Sequence, residues 1–374
     1  MKFIVSSTSL SSHLQVVSRV IASKSTIPIL DCFLFELQGN LLKITAADSE
    51  TRMNTSIEVQ DVEGEGVFAI PSKNLLDSLK ELPEQPITFD IDDSTLEMLI
   101  YYENGKYNFI GQNGIDYPQP KALKDNATVI ELSANNLLSG ISRSLFATAE
   151  DELRPVMNGV FFDISETDIT FVASDGHKLV RYKNFSAKGN QKAAFILPKK
   201  PANLLKTVLP KETGLVTVSF DDNNAYINME HVVITSRLIE GRYPNYNGVI
   251  PKDNPFKITV DRLVFVNALK RVVVFSNPAS SLIKLQVSPN SIFITAQDID
   301  YSTSAEETVA CVYDGEEINI GFKGTYLIEI LSNIPSSEVV LLLADPSRAG
   351  LMLPAENEAG EDLLMLLMPM MLND

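Results

Sequence analysis

The chain has 374 residues and a formal net charge of −17, with 31 Lys/Arg against 48 Asp/Glu, three His and two Cys. That length is too great for one hydrophobic core and fits two or three domains, and cysteines as far apart as Cys32 and Cys311 argue against a disulfide framework or a cysteine-built metal centre and for a reducing compartment. Residues 1–24 lack the basic start and unbroken apolar run of a signal peptide, and the apolar run 363–372 is too short to span a bilayer and holds Pro369, so a soluble cytoplasmic protein with no membrane partner is expected.

In chain order, a short strand at 2–5 leads through a serine-rich cap into a helix whose Leu10, Leu14, Val17 and Ile21 recur at the spacing of one buried stripe, with His13 and Arg19 off it. Strands follow at 31–37 and 41–45, joined by a Gly39-Asn40 turn, and at 51–59. Pro71 opens a second helix, 72–82, which Pro83 stops, and strands return at 87–91, 96–102 and 106–110. The middle third repeats the plan. A helix is predicted at 134–148 with Leu137, Ile141 and Leu145 in line, then a hairpin in which the apolar residues Ile169, Phe171 and Val172 meet Asp175-Gly176 before alternation resumes at Leu179, Val180 and Tyr182. A helix at 200–209 and strands at 216–220, 225–228 and 232–238 complete it. The last third reads as a helix at 261–275, strands at 282–287 and 291–296, and a helix at 324–334.

The repetition is visible in the residues themselves. Ala46-Ala47-Asp48, Ala173-Ser174-Asp175 and Ala296-Gln297-Asp298 each follow an apolar strand, at spacings of 127 and 123 residues. Asn74-Leu75-Leu76 running to Pro83, Asn203-Leu204-Leu205 running to Pro210, and Tyr326-Leu327-Ile328 running to Pro335 recur at 127 and 125. One design is written three times, with polar joints at 121–127 and 251–255, giving expected domains 1–125, 126–252 and 253–374. Each copy is α+β, about eight strands and two helices. Because the strands come in hairpins, the sheets should be mainly antiparallel with helices on one face.

Charge is segregated. The predicted helical segments (7–24, 72–83, 133–149, 198–210, 261–277 and 323–335) hold twelve Lys/Arg and four Asp/Glu, a net of +8 in a chain of −17. Arg19, Lys24, Lys73, Lys80, Arg143, Lys199, Lys200, Lys206, Lys270 and Arg271 lie mostly off the apolar stripes. If the helices share one side, that side is a basic track on an acidic body, the footprint of a phosphate-backbone binder. The competing reading is that Lys and Arg simply favour helix surfaces.

Several motifs then point to one family. Met1-Lys2-Phe3, Thr26-Ile27-Pro28-Ile29-Leu30, the Asp175-Gly176-His177 turn, Glu240-Gly241-Arg242-Tyr243-Pro244-Asn245-Tyr246, Ile320-Gly321-Phe322 and Met368-Pro369-Met370 stand in an order that resembles the bacterial sliding clamps, the beta subunits of DNA polymerase III, over the whole length. The resemblance implies the DNA clamp fold in a head-to-tail homodimeric ring. Its helices would line a hole holding double-stranded DNA, bound through phosphates without regard to sequence. It also implies a pocket between the second and third domains for short peptides of the DNA polymerase III alpha subunit, the clamp loader and other proteins with a clamp-binding motif. Carried over, that pocket comprises Arg154, Met157, Ser174, Gly176, His177, Lys178, Leu179, Pro244, Val249, Tyr326, Leu366, Leu367, Met368, Pro369 and Met370. From its residues alone the terminal apolar run reads as a buried edge strand, and both hold if its end lines the pocket. Met371 and Gly248 stand where the family often has a basic residue, and Ser280 where it is often aromatic. The dimer contact maps to edge strands, with Tyr107 and Phe109 meeting Val274 and Phe275 of a second copy.

Ser174, Asp175 and His177 invite a hydrolase reading, but triad members must converge in space around a nucleophile, and nothing places one there. No catalytic residue, metal or cofactor is expected. A peptide-binding repeat scaffold without DNA encirclement is the alternative to a clamp.

Overall fold

The computed structural model describes residues 1–22 and 25–372. The chain divides into two compact units, Met1–Asn135 with Asn203–Leu238, and Asn136–Ala202 with Ile239–Asp374. No described helix is long and apolar enough to cross a membrane.

In the first unit, helix α1 (Ser7–Val17) starts where the Ser6 hydroxyl accepts the Ser9 N–H at 3.1 Å, an N-cap. It buries Leu10, Leu14 and Val17 as its spacing requires. It passes into a 3-10 turn, Ser18–Val20, several residues before the predicted end. There the Ser18 hydroxyl donates back to the Gln15 carbonyl, and β-branched Val16, Val17, Val20 and Ile21 crowd the last turn. Helix α2 (Ser72–Lys80) packs on α1. Two antiparallel sheets lie with them. One has five strands, in the order Gln60–Glu63, Lys2–Ser6, Pro86–Asp92, Glu97–Tyr102 and Gly105–Ile110. Phe3 and Phe89 stack across it with centroids 4.8 Å apart.

The other sheet has nine strands and joins two of the sequence copies. Thr51–Glu58 pairs with Val232–Arg237, with Thr55 opposite Val232 and Thr51 opposite Ser236. The last three strands of the middle copy thus continue the sheet of the first.

The second unit repeats that join. Its eight-stranded antiparallel sheet runs from Ala193–Pro198 through Gly159–Ile164, Ile169–Ser174 and Lys178–Asn184 to Glu361–Leu367, then Gly350–Pro354, Glu338–Leu343 and Phe256–Asp261. Lys178–Asn184 against Glu361–Leu367 ties the middle copy to the last. A four-stranded sheet (Thr303–Ala310, Ser291–Asp298, Leu282–Ser288, Ile318–Lys323) accompanies it. Helix α3 (Ala134–Ser144) and helix α4 (Lys199–Val208) each begin in one unit and end in the other, and both finish in 3-10 turns. Helix α5 (Arg262–Val273), capped by Asp261, packs on helix α6 (Gly324–Ser332).

Candidate functional site

The Asp175-Gly176 turn is built by its own side chains. The Asp175 carboxylate accepts the backbone N–H of His177 at 2.8 Å and of Lys178 at 2.9 Å. The Ser174 hydroxyl donates to the Lys178 carbonyl at 2.8 Å and accepts from the Gly176 N–H at 3.1 Å. Gly176 sits at φ +90°, and a Cβ there would meet the Arg154 guanidinium at 2.9 Å. Arg154 is held over the turn by Asp151, 2.8 Å from its Nε. Ser174, Asp175 and His177 therefore do not converge as a triad: the hydroxyl and the carboxylate are spent on backbone groups.

Lys178, only 5% exposed, pairs with Glu329 of α6, lies 3.8 Å from Asp175 and stands 4.6 Å from the Tyr326 ring centroid. Lys323 approaches the same ring at 4.5 Å, and the His177 ring is 6.2 Å from it. The C-terminal strand sets Leu366 opposite Leu179 and Leu367 opposite Lys178. Beyond it the chain crosses the mouth of the turn. Met368 N–H donates to the His177 carbonyl, and Met370 N–H to that of Gly321, both at 2.8 Å.

The residues expected to form the pocket fall into two layers of one unit. Met157, Ser174, Lys178, Leu179, Leu366 and Leu367 are buried and form the floor, continuous with a core of Val172, Ile196, Tyr243, Tyr246 and Leu351. Arg154, Gly176, His177, Pro244, Val249 and Met368 are exposed, and Tyr326, Pro369 and Met370 half-buried. Phe161 and Tyr243 stack at 4.6 Å behind this floor, and the Tyr246 hydroxyl donates to Asp163 at 2.7 Å. Buried apolar side chains bordered by exposed polar and thioether groups suit the side chains of an extended peptide. The terminal run is thus a buried strand, Glu361–Leu367, whose end lies against the Asp175-Gly176 turn. Sequence reasoning missed Glu329 and Lys323; the one signal was that Glu329 is the sole charged residue of α6, one turn from Tyr326. Gly248 closes a 3-10 turn at 246–248, Met371 is 77% exposed, and Ser280 is half-buried.

The helix cations divide by use. Arg19, Lys73, Lys80 and Lys206 are exposed in the first unit, and Lys270 and Arg271 in the second; Lys199 and Lys200 are half-buried. Lys80 lies 3.5 Å from Asp77, Lys199 pairs with Glu150, and Arg271 with Glu307. Lys24 lies outside the described residues. Arg143 departs from the expected track. Its side chain is 14% exposed and turns inward to Glu361 at 2.7 Å and Glu358 at 3.3 Å, over the Tyr182 ring. Its charge is consumed within its own unit.

Tyr107 and Phe109 lie on the edge strand Gly105–Ile110, their rings in an edge-on contact at 6.4 Å. Val274 and Phe275 stand at the end of the helix expected over 261–275 and not on the edge strand that the resemblance implies for the dimer contact. They follow the last turn of α5, 75% and 41% exposed, where the Ser276 hydroxyl bonds back to the Val273 carbonyl. The edge strands of the four-stranded sheet are Thr303–Ala310 and Ile318–Lys323.

Against known proteins, residues 1–121, 131–245 and 247–370 match in turn the family descriptions of the N-terminal, central and C-terminal domains of the DNA polymerase III beta subunit. The chain is 26% identical to the beta sliding clamp of Pseudomonas putida over 374 residues, all of both chains. It is 27% identical to that of Haemophilus influenzae over 98% of this chain and 99% of the other. A crystal structure of the Pseudomonas aeruginosa sliding clamp bound to griselimycin covers both chains fully at 25% identity with a TM-score of 0.94.

Proposed function

This chain belongs to the DNA polymerase III beta-subunit family, the beta sliding clamps, and from that premise we propose how its surfaces carry out the work of a DNA sliding clamp. The observation that carries the reading is the succession of all three domain matches along one chain whose sheets are themselves joined copy to copy.

Two copies associate head to tail, the edge strand of Tyr107 and Phe109 meeting the exposed Val274 and Phe275 of the second copy. A head-to-tail contact that closes after two subunits makes a ring. The domains are 1–125, 126–252 and 253–374. Arg19, Lys73, Lys80, Lys199, Lys200, Lys206, Lys270 and Arg271 face the DNA phosphates, with Arg143 excluded because its charge is neutralised internally. Such contacts are weak, salt-dependent and blind to sequence. Retention by topology then permits sliding.

The pocket around Gly176, Leu179, Tyr326, Leu366 and Met368 takes short apolar peptides of the polymerase III alpha subunit, the clamp loader and other partners. The protein works in the cytoplasm as a non-catalytic processivity subunit. The test is retention on DNA after loading. The reading requires slow loss from a nicked circle and fast loss once that circle is linearised. Equal loss from both overturns encirclement and leaves the peptide-binding scaffold.

A further inference from the structure

We propose that Glu212, Glu230 and His231 bind a divalent transition-metal ion of the zinc class at the seam between Thr51–Glu58 and Val232–Arg237. Glu212 follows the 3-10 turn Leu209–Lys211, and Glu230 and His231 form the turn that opens the strand Val232–Arg237. Ligand atoms of the three side chains lie within 4.8 Å of one another. Two carboxylates and one imidazole, with water completing the shell, suit zinc rather than magnesium, which prefers oxygen alone, or copper(I), which prefers sulfur.

The second observation is a charge left unbalanced. The Glu212 side chain is 4% exposed, and its one ion-pair partner among the described residues is the His231 ring at 3.4 Å, which carries charge only when protonated. Its Oε2 also accepts the Glu230 N–H at 3.1 Å. A carboxylate so buried is costly without a matched cation. The other copy-to-copy seam shows how the protein ordinarily meets that cost: beneath it, Arg143 balances Glu358 and Glu361 directly. No Lys or Arg pairs with Glu212 among the described residues, although Arg19 and Lys211 line the adjoining cavity of about 290 Å³.

That cavity also holds a fixed imidazole. The Thr55 hydroxyl donates its one proton to the His231 carbonyl at 2.9 Å, so toward His13 Nδ1, also at 2.9 Å, it can only accept. His13 is thereby held as the Nδ1–H tautomer with a lone pair on Nε2, and Thr55 also anchors the backbone that carries His231. Outer hydrogen bonds of this kind orient metal-binding histidines. Two of the chain's three histidines meet at this place.

The experiment is a calorimetric titration of the full-length, chelator-stripped protein with ZnCl2, alongside thermal melts with and without the metal. One saturable site per chain is expected, with a rise in melting temperature. His231→Gln and Glu230→Gln change exposed side chains, so both variants should fold, and each should weaken binding by at least about tenfold and abolish the rise. The proposal is overturned by no saturable binding up to ~1 mM Zn2+, by His231→Gln binding as tightly as the parent, or by an equal response to Mg2+.

Discussion

Two seams join the three copies, and they are equivalent in the repeat yet differently made. Thr55 in the first unit and Tyr182 in the second are 127 residues apart, the offset that separates Asp48 from Asp175, and each sits in a strand paired with the last strand of the following copy. The second seam sets Leu179, Val180 and Tyr182 against Leu366, Met365 and Leu363. Its buried carboxylate is ion-paired: Arg143 reaches Glu358 and Glu361, and the Tyr182 hydroxyl donates to Glu361 at 2.6 Å, its pKa raised mainly by burial. The first seam sets Thr55, Asn54 and Arg52 against Val232, Val233 and Thr235, and its network ends in histidines. Topology fixes where copies join, while side chains decide how the buried charge there is met.

Breaking that ion pairing should give the largest effect. Arg143→Met leaves Glu361 buried beside Tyr182 without its cation, and a loss of about 3 kcal/mol in urea unfolding is expected. Were Arg143 instead a DNA contact, the variant would keep its stability and lose DNA affinity. Next is the turn at the end of the same seam. Gly176→Ala places a Cβ at positive φ against Arg154, costing about 1–2 kcal/mol. It should also weaken binding of an apolar clamp-binding peptide, measured by fluorescence anisotropy.

The first seam should respond to pH. Burial and the neighbouring His231 lower the His13 pKa below 6.5, so the unfolded chain takes up a proton before the folded one does. The stabilisation is full above pH 6.5 and falls away between that value and the lower folded pKa. Melting temperature should drop across this window in the parent and drop less in His13→Gln; identical pH profiles would remove His13 as the source.

These contrasts mark what the residues alone disclose. Helix stripes, the Asp-Gly hairpin and the threefold plan are short-range patterns, so α1 to α6 and the antiparallel sheets could be read directly. The pairing of Thr55 with Val232 could not, because any exposed antiparallel edge satisfies the same alternation. Arg143 lies off the stripe of Leu137, Ile141 and Leu145 and so looks solvent-facing; its partners Glu358 and Glu361 stand more than two hundred residues away in sequence. Val274 and Phe275 continue an apolar run that does not reveal where α5 stops. The motifs bring Asp175-Gly176-His177 and the C-terminal run to notice, whereas the ion pair of Lys178 with Glu329 arises only when α6 is brought to the turn.

The smallest expected effect separates free cations from employed ones on the helices themselves. Arg271 is exposed but held by Glu307, its Nε 3.0 Å from the carboxylate, whereas its neighbour Lys270 is exposed and has no ion-pair partner among the described residues. Phosphate contact by Arg271 must first give up that pairing, so part of its attraction is already cancelled. Lys270→Gln should therefore lower DNA affinity and flatten its salt dependence more than Arg271→Gln, each by a few-fold at low salt. Equal effects from the two, in a titration repeated at several salt concentrations, would mean that Glu307 swings away when DNA is present and that the pairing does not decide which helix cations the phosphates meet.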